Sequence, residues 1–108
     1  MILGSSFASL GCWVDKNDRA IAGGYENLGD GGQENAIELC FEKAKRLGYG
    51  VFAVQYGNQC FTSATAEETY QKYGPADACP ESGTGGPMIS EVYKIGKVLL
   101  NKPYHIVG

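Results

Sequence analysis

Trp13, Asp15, Asn17, Asp18 and Arg19 put an indole, two carboxylates, an amide and a guanidinium into one short stretch of chain. That mixture suits carbohydrate. A pyranose offers a C–H face that stacks on an aromatic ring, and hydroxyls that pair with planar amides, carboxylates and arginine. Tyr25, Asn27, Gln55, Tyr56 and Asn58 extend the set if the intervening loop folds back near them. The candidate ligand residues are therefore Trp13, Asp15, Arg19, Tyr25, Tyr56 and Asn58. Each has an ordinary alternative: a lone Trp beside a cysteine commonly packs in a core, and Asp–Arg pairs and Asn turns are everyday surface features. Calcium is a second chemistry for Asp15, Asn17 and Asp18. The run lacks the glycine and downstream Glu of an EF-hand, so no cofactor and no metal are expected.

Cys12, Cys40, Cys60 and Cys79 are the second chemically informative set. They are widely spaced and contain no C-x-x-C pair, whereas structural zinc sites usually draw two ligands from one tight turn. An even number of such cysteines in a short chain reads as two disulfides, and disulfides persist in oxidising compartments. The expected location is secreted or extracellular. Residues 1–10 lack both a basic n-region and a long apolar core, so they do not read as a signal peptide. No apolar run is long enough to span a membrane, and none is expected to insert in one.

Other chemistries find little support. A net charge of −3, with scattered basic residues, argues against nucleic acid. His105 is the single histidine and lies in a terminal β-like segment, a poor setting for a general base. No nucleophile elbow, H-E-x-x-H or phosphate loop occurs. Gly29-Asp30-Gly31-Gly32 precedes a helix but has no lysine partner, and reads as a turn. The chain is expected not to be an enzyme.

The positioning elements follow from periodicity. At 108 residues the chain has room for one core. Ile37, Cys40, Phe41, Ala44 and Leu47 recur at three-and-four spacing, which predicts a helix over residues 33–47, stopped by Gly48. Residues 49–56 alternate, with Phe52, Val54 and Tyr56 on one face, then turn at Gly57-Asn58 and return through 59–62 as a hairpin. Thr65-x-x-Glu68 has the form of a capping box opening a short helix to Tyr73. Residues 6–14, 89–95 and 98–107 read as further strands, and 15–32 as a long loop. The expected class is α+β, an antiparallel sheet of about four to five strands packed on one main helix. Three disulfide pairings are open to the sequence. Setting Cys40 over the sheet favours Cys40–Cys60, which leaves Cys12–Cys79.

Three segments together resemble the WSC domain. Leu10-Gly-Cys-Trp-Val-Asp15 followed by Arg19-Ala20 is similar to the family's opening, and residues 34–40 to its helix with an inward cysteine. Tyr49-Gly-Val-Phe-Ala-Val-Gln-Tyr56-Gly-Asn-Gln-Cys60 is similar to its central strand. Gly85-Gly86 and Val92-Tyr93 match its closing residues, so the resemblance covers about residues 10–95. It implies a PAN/apple-like fold and a non-catalytic, lectin-like extracellular module. The family carries more cysteines; here Ala44 and Phe61-Thr62 stand where further ones fall, which marks a divergent, four-cysteine member. The expected organisation is a first strand or extension at 1–9, the WSC/PAN-like domain at 10–95 and a strand extension of it at 96–108. The expected partner is a glycan or glycoprotein, with homo-oligomerisation or membership of a larger chain to raise avidity. The main alternative is a disulfide-stapled protein–protein or matrix-adhesion module using its tyrosines as anchors.

Overall fold

A computed structural model describes residues 3–29 and 32–99; His105, Tyr104 and the predicted strand beyond Leu99 lie outside them. The elements run β1 (Leu3–Val14), β2 (Glu26–Asn27), α1 (Gly32–Leu47), β3 (Val51–Gln55), β4 (Gln59–Thr62), α2 (Ala66–Thr69) and β5 (Ile89–Leu99). The strands form one five-stranded sheet in the order β1-β5-β3-β4-β2, and every pairing is antiparallel. This is the expected α+β class, an antiparallel sheet on one main helix.

β3 lies at the centre, and all five of its residues are buried. Its alternation divides them. Phe52 and Val54 face α1, where Ala36, Cys40, Phe41 and Ala44 meet Cys60 and Tyr93 in a dry cluster edged by Phe7 and Ile95. Phe52 stacks on Tyr93 at 5.2 Å between ring centroids, and Phe7 meets both rings edge-on at 5.6 and 5.5 Å. Val51 and Ala53 face the other way, joining Ile21, Phe61, Ala66 and Val92 under Leu10, Trp13 and Tyr70. A strand covered on both faces is anchored from both sides, so its end is a rigid platform.

Two disulfides staple this frame, Cys40–Cys60 and Cys12–Cys79, with Cα separations of 5.4 and 5.3 Å. These are the expected pairs. The first ties α1 to β4, and the second ties β1 to the loop preceding β5. Such bonding is the cysteine usage of a protein that folds in an oxidising compartment.

Several local expectations are corrected. Leu47 is 48% exposed rather than on the buried face, because it occupies the last helical position, where α1 has already run past the sheet. Thr65 makes no side-chain cap, and α2 lasts only residues 66–69, so the capping box does not form. Thr65 Oγ1 lies instead 3.5 Å from Ser63 Oγ. Tyr56 does not share a face with Phe52 and Val54, since a positive φ of 52° takes it out of the strand. The two late strands are one continuous β5 through Leu99, paired along its length with β1 from Leu3. Residues 3–9 and 96–99 therefore belong to the same sheet. A bulge between Ser9 and Gly11 re-aims β1, with Gly11 at φ 92°, a value glycine adopts without steric cost.

Candidate functional site at the strand ends

The ends of β1, β3 and β5 come together at one rim of the sheet, with Gln55 opposite Ser90 and Trp13 opposite Ser90 across the ladders. Asp15 follows directly on β1, and its backbone N–H donates to the Met88 carbonyl at 2.9 Å. Its carboxylate is 3% exposed and fully engaged. Oδ1 accepts the Ala20 backbone N–H at 2.8 Å; Oδ2 accepts Arg19 at 3.1 Å and the Gln55 amide at 2.5 Å. Gln55 Nε2 also donates to Ser90 Oγ at 2.8 Å. Both amide hydrogens are thus held, which fixes the orientation of this buried amide beneath the site.

Arg19 sits above this network. One nitrogen is tied to Asp15 and approaches Met88 Sδ at 3.3 Å. Its guanidinium also lies over the rings of Tyr25 at 5.6 Å and Phe61 at 5.3 Å. A buried carboxylate below and aromatic rings beside it hold the guanidinium in place while its remaining N–H groups stay available. Arg19, Gln55, Tyr56, Gln59, Pro87 and Met88 then enclose a hollow of about 320 Å³. A second hollow of about 570 Å³ adjoins it, lined by Gly57, Ser82, Thr84, Gly85 and Gly86 and sharing Tyr56 and Pro87 as the dividing ridge.

Tyr56 and Met88 are the two non-glycine residues with positive φ among those described, at 52° and 55°. Both border the hollows and both are exposed, Tyr56 to 62% and Met88 to 40%. A side chain in the left-handed region is disfavoured unless the surroundings impose it, and such residues concentrate at binding sites. Here the hairpin turn and the Gly57 N–H bond to the Thr84 carbonyl at 3.2 Å hold Tyr56 outward. Gly85 makes the close approach of this loop feasible: a Cβ there would run into the Ile89 carbonyl and come within 2.6 Å of the Val54 carbonyl.

The structure brings Asp15, Arg19, Tyr25 and Tyr56 of the expected set together. Trp13 is elsewhere. It meets Tyr70 edge-on at 5.1 Å, and its indole N–H donates to the Leu10 carbonyl at 3.0 Å; the ring is partly buried against the cluster on that face and does not line the hollow. Asn58 secures the hairpin to β2, donating to Asn27 Oδ1 at 3.2 Å and the Gly29 carbonyl at 3.3 Å. Asp18 pairs outward with Lys72 at 3.0 Å and its carbonyl accepts the Tyr73 hydroxyl, so Asp15 and Asp18 do not converge as calcium ligands. Gln59, Ser90, Pro87 and Met88 were absent from the sequence reading of the site. Met88 follows the Gly83–Pro87 turn, and no local pattern says that this turn returns to Arg19.

Neither hollow is lined by a carboxylate, so neither presents the acid pair that glycoside hydrolysis uses. The groups these hollows present are an exposed tyrosine ring, a held guanidinium, the Gln59 amide and backbone groups.

Comparison with known proteins gives a partial likeness. No family model matches the chain. A xylosyltransferase of Drosophila pseudoobscura pseudoobscura is 42% identical over 53 residues, and that of Drosophila melanogaster 38% identical over 53 residues. In both cases the match covers 49% of this chain and 6% of the relative. The chain therefore spans only a small part of the proteins it matches.

Proposed function

We propose that this chain is a non-catalytic, carbohydrate-binding module of the WSC type, working outside the cell or in the secretory pathway. The observation that carries the reading is Tyr56: a tyrosine 62% exposed, held in the left-handed region, beside a hollow lined by Arg19, Gln55 and Gln59. The sugar's C–H face lies on the Tyr56 ring, and its hydroxyls meet the Arg19 guanidinium and the Gln59 amide, with the buried Gln55 holding the network beneath. Tyr25 belongs to the site through Arg19, which it helps to hold. Trp13 and Asn58 support the frame rather than touch ligand.

The two disulfides favour an oxidising compartment, and the relatives' name is consistent with a sugar-handling setting. A shared segment amounting to 6% of those enzymes fits an attached module better than a catalytic core. An open, shallow site binds a single sugar weakly, so useful strength comes from several copies, either in an oligomer or along a longer chain. A glycan array probed with oxidised, multimerised protein tests the reading. A defined group of glycans is expected, unaffected by EDTA and lost in Tyr56→Ala. A blank array from folded protein overturns it in favour of a protein-binding module.

A further inference from the structure

The two disulfides differ in what surrounds them. Cys40 and Cys60 are 0% exposed and enclosed by Ala36, Phe41, Ala44, Phe52 and Val54, with no room for a reagent. In the other pair Cys12 is buried at 7% but Cys79 is exposed, on a loop. Against this bond lies Glu91, a carboxylate only 9% exposed. Its Oε1 is 3.6 Å from Cys12 Sγ and 3.4 Å from Cys79 Sγ, and its Oε2 accepts the Ser9 hydroxyl at 2.9 Å.

A disulfide sulfur carries no hydrogen, so in the bonded state neither cysteine donates to this carboxylate, and the short donor to it is the Ser9 hydroxyl on Oε2. A buried acceptor short of donors raises the energy of the state that leaves it so. Opening the bond turns both sulfurs into S–H donors; they must move apart to van der Waals contact, and both start beside Oε1, so either can turn a hydrogen toward it. The reduced form is therefore the better satisfied of the two around Glu91. Cys40 Sγ has the Ala53 backbone carbonyl near it, at 3.5 Å, and no carboxylate among the described residues lies against that bond; its distinguishing feature is that both cysteines are fully enclosed.

We propose that Cys12–Cys79 is an exchange-active disulfide whose substrate is a low-molecular-weight thiol of the glutathione class, with Glu91 as the group that stabilises its open form. The thiolate attacks the exposed Cys79 Sγ; the S–S electron pair leaves on Cys12 Sγ, which takes a proton from solvent and donates its S–H to Glu91. A second thiolate attacks the incoming sulfur of the mixed disulfide, releasing the small disulfide and leaving Cys79 to be protonated in turn. Two small thiols are oxidised to one disulfide, and the protein bond takes up the two electrons.

Opening the bond has a structural consequence. Residue 76 is held by its N–H to the Cys12 carbonyl at 3.0 Å, and residue 83 by its carbonyl to the Tyr93 hydroxyl at 2.7 Å. Ser82 is held to Thr84, whose N–H and hydroxyl lie 3.3 and 2.9 Å from Ser82 Oγ, but for 77–81, among the described residues, the disulfide at Cys79 is the main link to the sheet. Ser82, which follows that stretch, lines the larger hollow. Reduction therefore loosens one wall of the hollow and leaves the Arg19 side intact.

The test is equilibration of the full chain in graded glutathione buffers, alkylation of free thiols, and mapping by mass spectrometry. Cys12 and Cys79 are expected to label while Cys40 and Cys60 stay bonded and far-UV circular dichroism is unchanged. Amide exchange should accelerate within 77–81. Glu91→Leu should make the bond about tenfold harder to open, with Glu91→Gln between it and the unaltered protein. Labelling of all four cysteines together with loss of structure, or of Cys40 and Cys60 first, overturns the proposal. An unchanged equilibrium in folded Glu91→Leu overturns the role of Glu91. The labelling order in the unaltered protein decides the first point even if that variant does not fold.

Discussion

On the side of the sheet facing α1, rings meet rings: Phe52 lies on Tyr93, Phe41 and Phe7 close around them, and Cys40–Cys60 is sealed within. On the opposite side, where β1, β3 and β5 end, Asp15, Gln55 and Ser90 form a hydrogen-bonded row beneath Arg19. The first region gains stability from apolar area and close packing. The second holds polar groups in fixed directions, which an apolar core cannot do, and it is tolerable only because each buried group finds a partner. The same central strand serves both. Phe52 and Val54 anchor it on one face so that Gln55 and Tyr56 can be aimed on the other.

That division implies a graded response to substitution. Phe52→Ala should be the most damaging, costing about 3–5 kcal/mol because it empties the middle of the aromatic cluster. For a domain of this size that approaches the whole stability, and chemical denaturation should show a protein unfolded or nearly so. Asp15→Ala comes next, at about 2–4 kcal/mol, since it strips Arg19, Gln55 and the Ala20 N–H of their shared acceptor. Unlike the core variant it should remain folded enough to assay, and lose ligand binding with the displaced Arg19.

Tyr93→Phe should cost about 1 kcal/mol by removing the hydroxyl bond to the Gly83 carbonyl. It also has a pH signature. Burial, reinforced by the negative charge of Glu91, pushes the Tyr93 phenol up to about 12 from its ordinary 10.0. A raised phenol stabilises the fold fully below pH 10 and loses that contribution as pH rises through about 12. Melting curves across pH 9–12 should therefore fall less steeply for Tyr93→Phe than for the unaltered protein. Smaller still is Asp18→Asn. The Lys72 ammonium holds the Asp18 carboxyl below its ordinary value, first through the hydrogen bond and then through its charge, but the pair is solvent-exposed. Its contribution is fully present above the ordinary carboxylate range and is lost as pH falls through the lowered folded value, so variant and parent should differ slightly at neutral pH and converge in increasingly strong acid.

Much of the frame was legible because it is written at short range. The recurrence of Ile37, Cys40, Phe41 and Ala44 predicts α1, and an inward Cys40 over a hairpin carrying Cys60 leads to both disulfides. Where the reading fails, the deciding contact is distant. Trp13 has the composition of a sugar platform, but its place is set by Tyr70, far along the chain. Thr65 and Glu68 have the letters of a capping box, yet Thr65 Oγ1 is drawn to Ser63 and the helix ends within four residues. Tyr56 is a candidate in the sequence for its ring, but its direction is misread there. The alternation of 52–56 makes it a strand residue, whereas a left-handed turn against the Thr84 carbonyl turns it to solvent. Met88 and Ser90 join the site only because β5 pairs with β3 and β1 at once.

The most direct test of the account is Tyr56→Gly, measured by calorimetric titration with a glycan that binds the unaltered, oxidised protein. Glycine adopts the left-handed turn freely, so the fold should be retained or stabilised by up to about 1 kcal/mol while the stacking ring is lost. The account predicts that binding disappears although melting temperature holds. Undiminished binding in that variant would contradict it, and would move the ligand away from the hollow beside Arg19.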